Sequence, residues 1–262
     1  MKLHRLPTQN FVPSRPSAVP AVAAAAHTSY PAQQTWEAFA QKDPYTYIWT
    51  ALKGNDASEF WHSGERTIEQ EFLPMLQGQR VRHGIALELG CGVGRLALPL
   101  APHFDQVLGV DISRGMVQRA DSGAQQRAAQ NVSFFSISGP EDFLHRAGNY
   151  AASCDFIYSL LVFQHIPDFS MIEGYLHVIR ILLRARGVAY LQFDTRPKTL
   201  VYRLKTQLPD SLLPRFWRRG IRRIRRSSEE VAASIRRAGL EIVSELTPRT
   251  AYHRYLLRVA ED

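Results

Sequence analysis

Residues 85–101 read IALELGCGVGRLALPLA. A short apolar run closes on Glu88 and Leu89, glycines fall at 90, 92 and 94, and an apolar pattern then resumes. Glycine loses more backbone freedom on folding than any other residue, so a cluster of three needs a reason. The pattern predicts a strand, a turn and a helix. Glycines at that turn permit positive φ and let a ligand approach the backbone closely.

The same alternation continues downstream. QVLGVD reads as a strand and SRGMVQRADSGAQQRAAQN as a helix. VSFFSI and CDFIYSLL read as strands, DFSMIEGYLHVIRILLRA as a helix and GVAYLQFDT as a strand. RLALPLAPHF is expected to be the helix after the glycines. Strands alternating with helices imply right-handed βαβ units and a parallel sheet. The strands are apolar on both faces, as buried parallel strands are. After Thr195 the alternation lapses, then resumes with SSEEVAASIRRAG. Ser227 and Glu230 give a capping-box start to that helix and Gly239 a C-terminal cap. LEIVSELTP and AYHRYLLRVAED close the chain as an antiparallel pair.

A length of 262 residues with 45% hydrophobic content suits one such domain with additions. Residues 1–34 carry scattered prolines and no amphipathic period, and read as a disordered tail. Lys2 and Arg5 ahead of AVPAVAAAA imitate a signal peptide, but Pro7, Pro13, Pro16 and Pro20 break it. Residues 35–78, dense in aromatics, are expected to form a helical lid or cap. Residues 85–195 form the ligand-binding core, 196–226 a basic insertion, and 227–262 the last helix with the antiparallel pair. No apolar run approaches the roughly 18 residues of a membrane span. Cys91 and Cys154 make neither a metal motif nor a disulfide framework, which fits a reducing, cytoplasmic setting.

The glycine spacing selects the ligand. A dinucleotide fingerprint is G-x-G-x-x-G, whereas here Arg95 stands where the third glycine belongs. No G-K-[ST] follows, so the phosphate loop is absent as well. Glu88, at the end of the strand, would repel a pyrophosphate and welcome an ammonium. Asp111 ends the next strand, where a carboxylate accepts hydrogen bonds from ribose hydroxyls. A ribose at one end, an ammonium at the other and no phosphate between them describe S-adenosylmethionine.

The chain here resembles the class I S-adenosylmethionine-dependent methyltransferases. The blocks that carry the likeness are LELGCGVGR (87–95), GVDIS (109–113) with Met116, and DFIYSLLVFQHIP (155–167). The resemblance implies a Rossmann-like α/β fold with a seven-stranded, mostly parallel sheet in the order 3-2-1-4-5-7-6. Helices would cover both faces and add an N-terminal helical extension. It further implies that Glu88 orients the ammonium, that Gly90, Cys91 and Gly92 lie against the methionine part, and that Gly94 and Arg95 begin the helix. Asp111 would hold the ribose hydroxyls, with Ile112, Ser113 and Met116 beside it. Ser159 and Leu160 would end strand 4 near the sulfonium. The family often has an acidic or amide contact to adenine after strand 3. Ser138 sits near the expected place, and Asp142 is favoured here, with simple helix capping as its other reading. The family's Pro-Gly-Gly turn before strand 5 is missing, since LLRARGV keeps only Gly187.

Methyl transfer asks mainly for positioning and desolvation, because the leaving group is already neutral. A hydroxyl acceptor also needs a base. His165 in FQHIP is the candidate, with an anchor for the loop before Pro167 as its alternative role. Gln164 and Asp194 are further rim residues expected to touch substrate. No metal-binding cluster is evident.

The formal charge is +8, and seven arginines within PRFWRRGIRRIRR (Arg215, Arg218, Arg219, Arg222, Arg223, Arg225 and Arg226) carry most of it. Phe216, Trp217, Ile221 and Ile224 are expected to face the protein with the arginines outward. Three uses are open: a solvated basic helix, a site for an anionic acceptor, or contact with nucleic acid or an anionic membrane surface. Methylation of a small molecule at oxygen or nitrogen is the expected function. RNA, an anionic glycan or a lipid precursor are alternative acceptors, and so is non-catalytic cofactor binding. The absence of N/D-P-P-Y/F after strand 4 speaks against methylation of base amino groups.

Overall fold

The structure is a computed structural model and describes residues 31–49, 56–214, 217 and 222–260. Seven strands form one sheet in the order β3-β2-β1-β4-β5-β7-β6. These are β1 (Ile85–Leu89), β2 (Gln106–Asp111), β3 (Val132–Ser136), β4 (Cys154–Ser159), β5 (Leu183–Phe193), β6 (Leu240–Leu246) and β7 (His253–Val259). All neighbours are parallel except the two pairs that involve β7. The strand order reverses direction between β1 and β4, the place where open α/β sheets bind ligands at their carboxyl ends.

Alternate residues of each strand feed opposite layers, as a two-residue period requires. Leu87, Leu89, Leu108, Val110, Ile157, Ala189 and Leu191 pack with helices α7 (Pro140–Ala147), α8 (Phe169–Leu182) and α10 (Ser228–Arg237). Ala86, Val107, Phe156, Tyr158, Val188 and Tyr190 face the other way. There they meet the continuous helical segment made by α3 (Ala57–Thr67), a π turn (Ile68–Phe72) and α4 (Leu73–Gly78). Helix α6 (Arg114–Gln126) follows β2. The Ser227–Glu230 capping box of α10 is present in both directions.

Several segments differ from the sequence reading. Of the tail read over 1–34, residues 1–30 lie outside the described residues. Residues 31–34 instead begin helix α1 (Pro31–Lys42), with Pro31 at its first position. Helix α2 (Pro44–Ile48) follows at once, capped by Asp43. After the glycines, only α5 (Ala97–Leu100) and a 3₁₀ turn (Ala101–His103) are helical, because Pro99 and Pro102 interrupt the hydrogen-bond ladder. Strand β5 begins at Leu183, four residues before the expected Gly187, directly at the end of α8. The β4–β5 register shifts there, from Cys154 opposite Leu183 to Phe156 opposite Val188. This bulged entry replaces the family's missing turn. Gly187 tolerates no side chain, since a Cβ would come within 2.9 Å of the Cys154 and Asp155 carbonyl oxygens.

A third apolar cluster joins the N-terminal helices to the core. Phe39, Tyr47 and Phe60 pack with Val93 of the glycine turn and Met116 of α6. Phe39 and Tyr47 stack with ring centroids 3.7 Å apart. The aromatic density of residues 36–61 is thus used to seat α1 and α2 over the carboxyl ends of β1 and β2.

Candidate active site

The glycine turn is built on backbone contacts. The amides of Gly90 and Cys91 both donate to the Val110 carbonyl, at 2.7 and 3.0 Å, which ties the turn to the end of β2. Gly90 sits at φ +77°, and a Cβ there would fall 2.2 Å from Val162 Cγ2. The loop after β4 thus rests directly on the turn. Within that loop Leu161 holds φ +64°, an unusual conformation for a branched residue and one concentrated at functional sites.

Two buried carboxylates flank the turn. Glu88 is 4% exposed, and no cationic side chain among the described residues comes within ion-pair distance of it. Burial pushes its pKa up to about 8, against the opposing charge of Arg95 and the hydroxyl of Tyr158, which donates to it at 3.3 Å. Asp111 accepts from the Gly92 amide at 2.8 Å and from the Ser113 amide at 2.9 Å. Burial raises its pKa, and those amides oppose the rise. Ser113 caps α6 by accepting from the Met116 amide.

A cavity of about 300 Å³ opens beside these groups. Glu88, Gly90, Cys91, Gly92, Arg95, Asp111, Ile112, Met116 and Leu160 line it, as does His165. Gly94, Ser113 and Ser159 do not line it: the Gly94 amide donates to the Cys91 carbonyl at 2.9 Å, Ser113 caps α6, and the Ser159 hydroxyl donates to the Leu89 carbonyl at 2.9 Å. The described Cys91 thiol is raised well above its usual range by burial.

Three further expected residues, Asp142, Asp194 and Gln164, are also not on the cavity wall. Asp142 accepts from the Ser138 amide at 2.9 Å and from Arg146 at 3.0 Å, so its carboxylate shapes the turn into α7. Ser138 itself lines the cavity, beside Ile137. Asp194 is fully buried and gripped by Arg196 through both carboxylate oxygens. Gln164 lies behind the rim, its amide nitrogen 3.2 Å from His165 Nε2.

His165 stands where α1 meets the β4 loop. The Trp36 ring packs edge-on against it, with centroids 5.5 Å apart and planes at 74°. Burial lowers its pKa to about 4; the charge of Arg223 adds to this, while the Arg222 backbone and Asp194 oppose it. The ring is therefore neutral at physiological pH.

Helix α1 also carries groups that sequence patterning missed. Glu37 accepts from the Ser113 hydroxyl at 2.7 Å and from the Gly115 amide at 3.1 Å, holding the N-terminus of α6. Gln33 donates to the Ile112 carbonyl at 3.1 Å. With Ala32 and Trp36 on the wall, α1 closes one side of the cavity. Gln33, in the stretch read as a tail, and Glu37, in the expected helical lid, carry no local signal, because their partners lie 76–79 residues away.

The basic segment also departs from its reading. Residues 222–226 are not helical, and their arginines are anchored rather than solvated. The Ile224 amide donates to the Gln164 carbonyl and the Arg226 amide to the Asp194 carbonyl. The Arg226 guanidinium donates to the Ile166 carbonyl at 2.6 Å and lies over Phe169. Arg225 covers Tyr202 and Arg223 covers Tyr252. Trp217 and Ile224 are half-buried; Phe216 and Ile221 lie outside the described residues.

A parallel sheet with its last strand pair antiparallel, a glycine turn and two buried carboxylates at adjacent strand ends define a Rossmann-like methyltransferase architecture. Residues 87–189 match the family described as a methyltransferase domain. That match and the strand order agree with the architecture of the class I S-adenosylmethionine-dependent methyltransferases. The cofactor of that class is S-adenosylmethionine, and the cavity fits it: a buried carboxylate without a cationic partner, a second at the next strand end, and a turn with no room for side chains.

Among solved structures, magnesium protoporphyrin IX methyltransferase from Synechocystis PCC 6803, with bound S-adenosylhomocysteine, has a TM-score of 0.57 and 20% identity. That match covers 87% of this chain and 100% of the other. An S-adenosylmethionine-dependent methyltransferase from Clostridium acetobutylicum has a TM-score of 0.56 and 15% identity, covering 78% and 99%. These likenesses concern the fold. Curated relatives include a 23S rRNA (uracil-C5)-methyltransferase of Acinetobacter baumannii, 41% identical over 80 residues, 29% of this chain and 16% of that protein. A tRNA/tmRNA (uracil-C5)-methyltransferase of Sulfurovum is 34% identical over 139 residues, 50% and 35% respectively. The chain thus spans well under half the length of these relatives. No helix among the described residues is long and apolar enough to cross a membrane.

Proposed function

We propose that this chain transfers the methyl group of S-adenosylmethionine to an oxygen or nitrogen of a small acceptor held in the cavity against the wall that Trp36 and His165 form together. When bound, S-adenosylmethionine supplies a methyl carbon on a sulfonium whose departure leaves a neutral thioether. Glu88 takes the cofactor's ammonium and Asp111 its ribose hydroxyls. Gly90, Cys91 and Gly92 form the floor, and Ser138, rather than Asp142, faces the adenine. Helix α1 excludes water from this space, held down by Glu37 and Gln33.

The observation that carries the acceptor reading is the edge-on packing of Trp36 on His165, which walls the cavity beside the β4 loop. A recess closed on one side by α1 suits a small molecule better than a polymer. His165, with a pKa of about 4, is a weak base toward an ordinary alcohol. It suits instead an amine or an acidic hydroxyl that arrives as a ready nucleophile, which the neutral ring orients.

RNA is the second reading, favoured by the names of the curated relatives. Uracil C5 becomes nucleophilic when a thiolate adds at C6. This chain's two cysteines are both buried, with Cys154 at the start of β4 and the Cys91 thiol held protonated by burial. Neither suits that role.

The test is incubation with methyl-labelled cofactor and either a panel of amines, phenols and carboxylic acids or total RNA. Label in a panel compound supports the proposal. Label in RNA overturns it. Cofactor binding without any transfer would favour a non-catalytic binding protein.

A further inference from the structure

Helix α9 (Leu200–Gln207) lies inside out relative to an ordinary surface helix. Its inward face is Tyr202, buried, whose hydroxyl accepts from the Arg225 amide at 3.0 Å. Its outward face is apolar. Leu200 is 72% exposed, Leu204 57%, and Val201 and Leu208 share their side. Leu212, 69% exposed, extends the patch beyond the 3₁₀ turn, while Leu213 turns inward. A surface helix normally points such a stripe at the core, and a run of exposed leucines on one face marks an interaction surface.

The charges around this patch decide its partner. Residues 196–214 hold four lysines and arginines, Arg196, Lys198, Arg203 and Lys205, and a single acid, Asp210. Exposed Lys198, Arg203 and Lys205 border the leucines. Lys205 and Trp217 are stacked beside them, the ammonium 4.6 Å from the ring centroid. An apolar face ringed by cations, with a tryptophan alongside, matches a helix that lies in the headgroup region of an anionic bilayer.

We infer that residues 198–212 dock this protein on anionic membrane surfaces, with Leu200, Val201, Leu204, Leu208 and Leu212 entering the acyl boundary and Lys198, Arg203 and Lys205 meeting lipid phosphates. Neither part is enough alone. The leucines are too few to anchor in neutral lipid, and arginines alone bind any polyanion. Tyr202 of α9 holds the Arg225 amide, between Ile224 and Arg226, which donate to the Gln164 and Ile166 carbonyls beside the cavity. Docking thus brings the rim close to the lipid surface. The inference stands whatever the acceptor.

The test is co-sedimentation of the full chain with vesicles of phosphatidylcholine alone and of an equal mixture with phosphatidylglycerol. Binding is expected to the mixed vesicles and not to the neutral ones. The variant Leu200→Ser/Leu204→Ser is expected to weaken binding by about tenfold or more, and Lys198→Glu/Arg203→Glu by a similar factor. All four positions are exposed, and unchanged thermal melting checks that the fold is kept. Absence of binding to mixed vesicles would overturn the inference. So would full binding by the leucine variant, which would mean a general polyanion surface such as one for nucleic acid. A wild-type dimer that the leucine variant converts to monomer would assign the patch to a second copy and overturn it equally.

Discussion

Cofactor affinity should depend on pH through Glu88. In the free protein burial raises the pKa of this carboxyl from 4.5 to about 8. At pH 7 it is about 90% protonated on that value. An ammonium beside it requires the ionised form, so binding must expel the proton. Affinity for S-adenosylhomocysteine should therefore rise close to tenfold, about 1.4 kcal/mol, per pH unit between pH 6 and 7.5. Calorimetry in two buffers of different ionisation enthalpy should register about 0.9 proton released at pH 7. Glu88→Gln should abolish both the release and the pH slope and weaken binding. The free protein should show the reverse trend in stability. Its folded state holds this proton more tightly than the unfolded chain, so the contribution is complete below 4.5 and is lost as pH climbs to about 8. Flat affinity across pH 6–7.5 with no proton exchanged would refute the assignment of Glu88 to the ammonium.

The remaining predictions concern single side chains. Asp111→Ala should weaken cofactor binding at least about tenfold, read by calorimetry, and unchanged affinity would remove Asp111 from the site. His165→Ala should keep cofactor affinity and lose turnover, and full turnover would make His165 an anchor for the loop. The His165 ring, depressed to about 4, should show no titration between pH 5.5 and 8 by NMR, so activity should carry no step near 6.5 from this group. Glu37→Gln should cost about 1–3 kcal/mol in the closure of α1, seen as faster amide exchange in residues 32–42. Unchanged protection would mean that the aromatic packing alone holds α1.

The cofactor half of the site was legible because its signals are local. Glu88, the three glycines and Asp111 lie within 24 residues, at strand ends that a two-residue apolar period marks directly. The alternation of strands and helices, together with the family resemblance, sufficed for the strand order. The structure departs from the sequence reading where a residue's polar groups are already taken by other contacts, near or far in the chain. Asp142 and Asp194 are acids near the right strand ends, but each is claimed by an arginine and a nearby backbone amide. The arginine segment read as a helix because Ile and Arg recur at helical spacing. Residues 222–226 are not helical, and Tyr202, Tyr252, Phe169 and the Ile166 carbonyl hold their arginines instead.

Sequence by itself pointed to a ribose and an ammonium at a glycine turn, since that reading needed only backbone freedom and two carboxylates at strand ends. Tertiary structure decided what closes that site. Residues 31–42 have little helical drive of their own, and an isolated helix of that length is marginal in water. They become a wall only because Trp36, Phe39 and Glu37 find His165, Tyr47 and the start of α6, partners brought to them by the folded sheet.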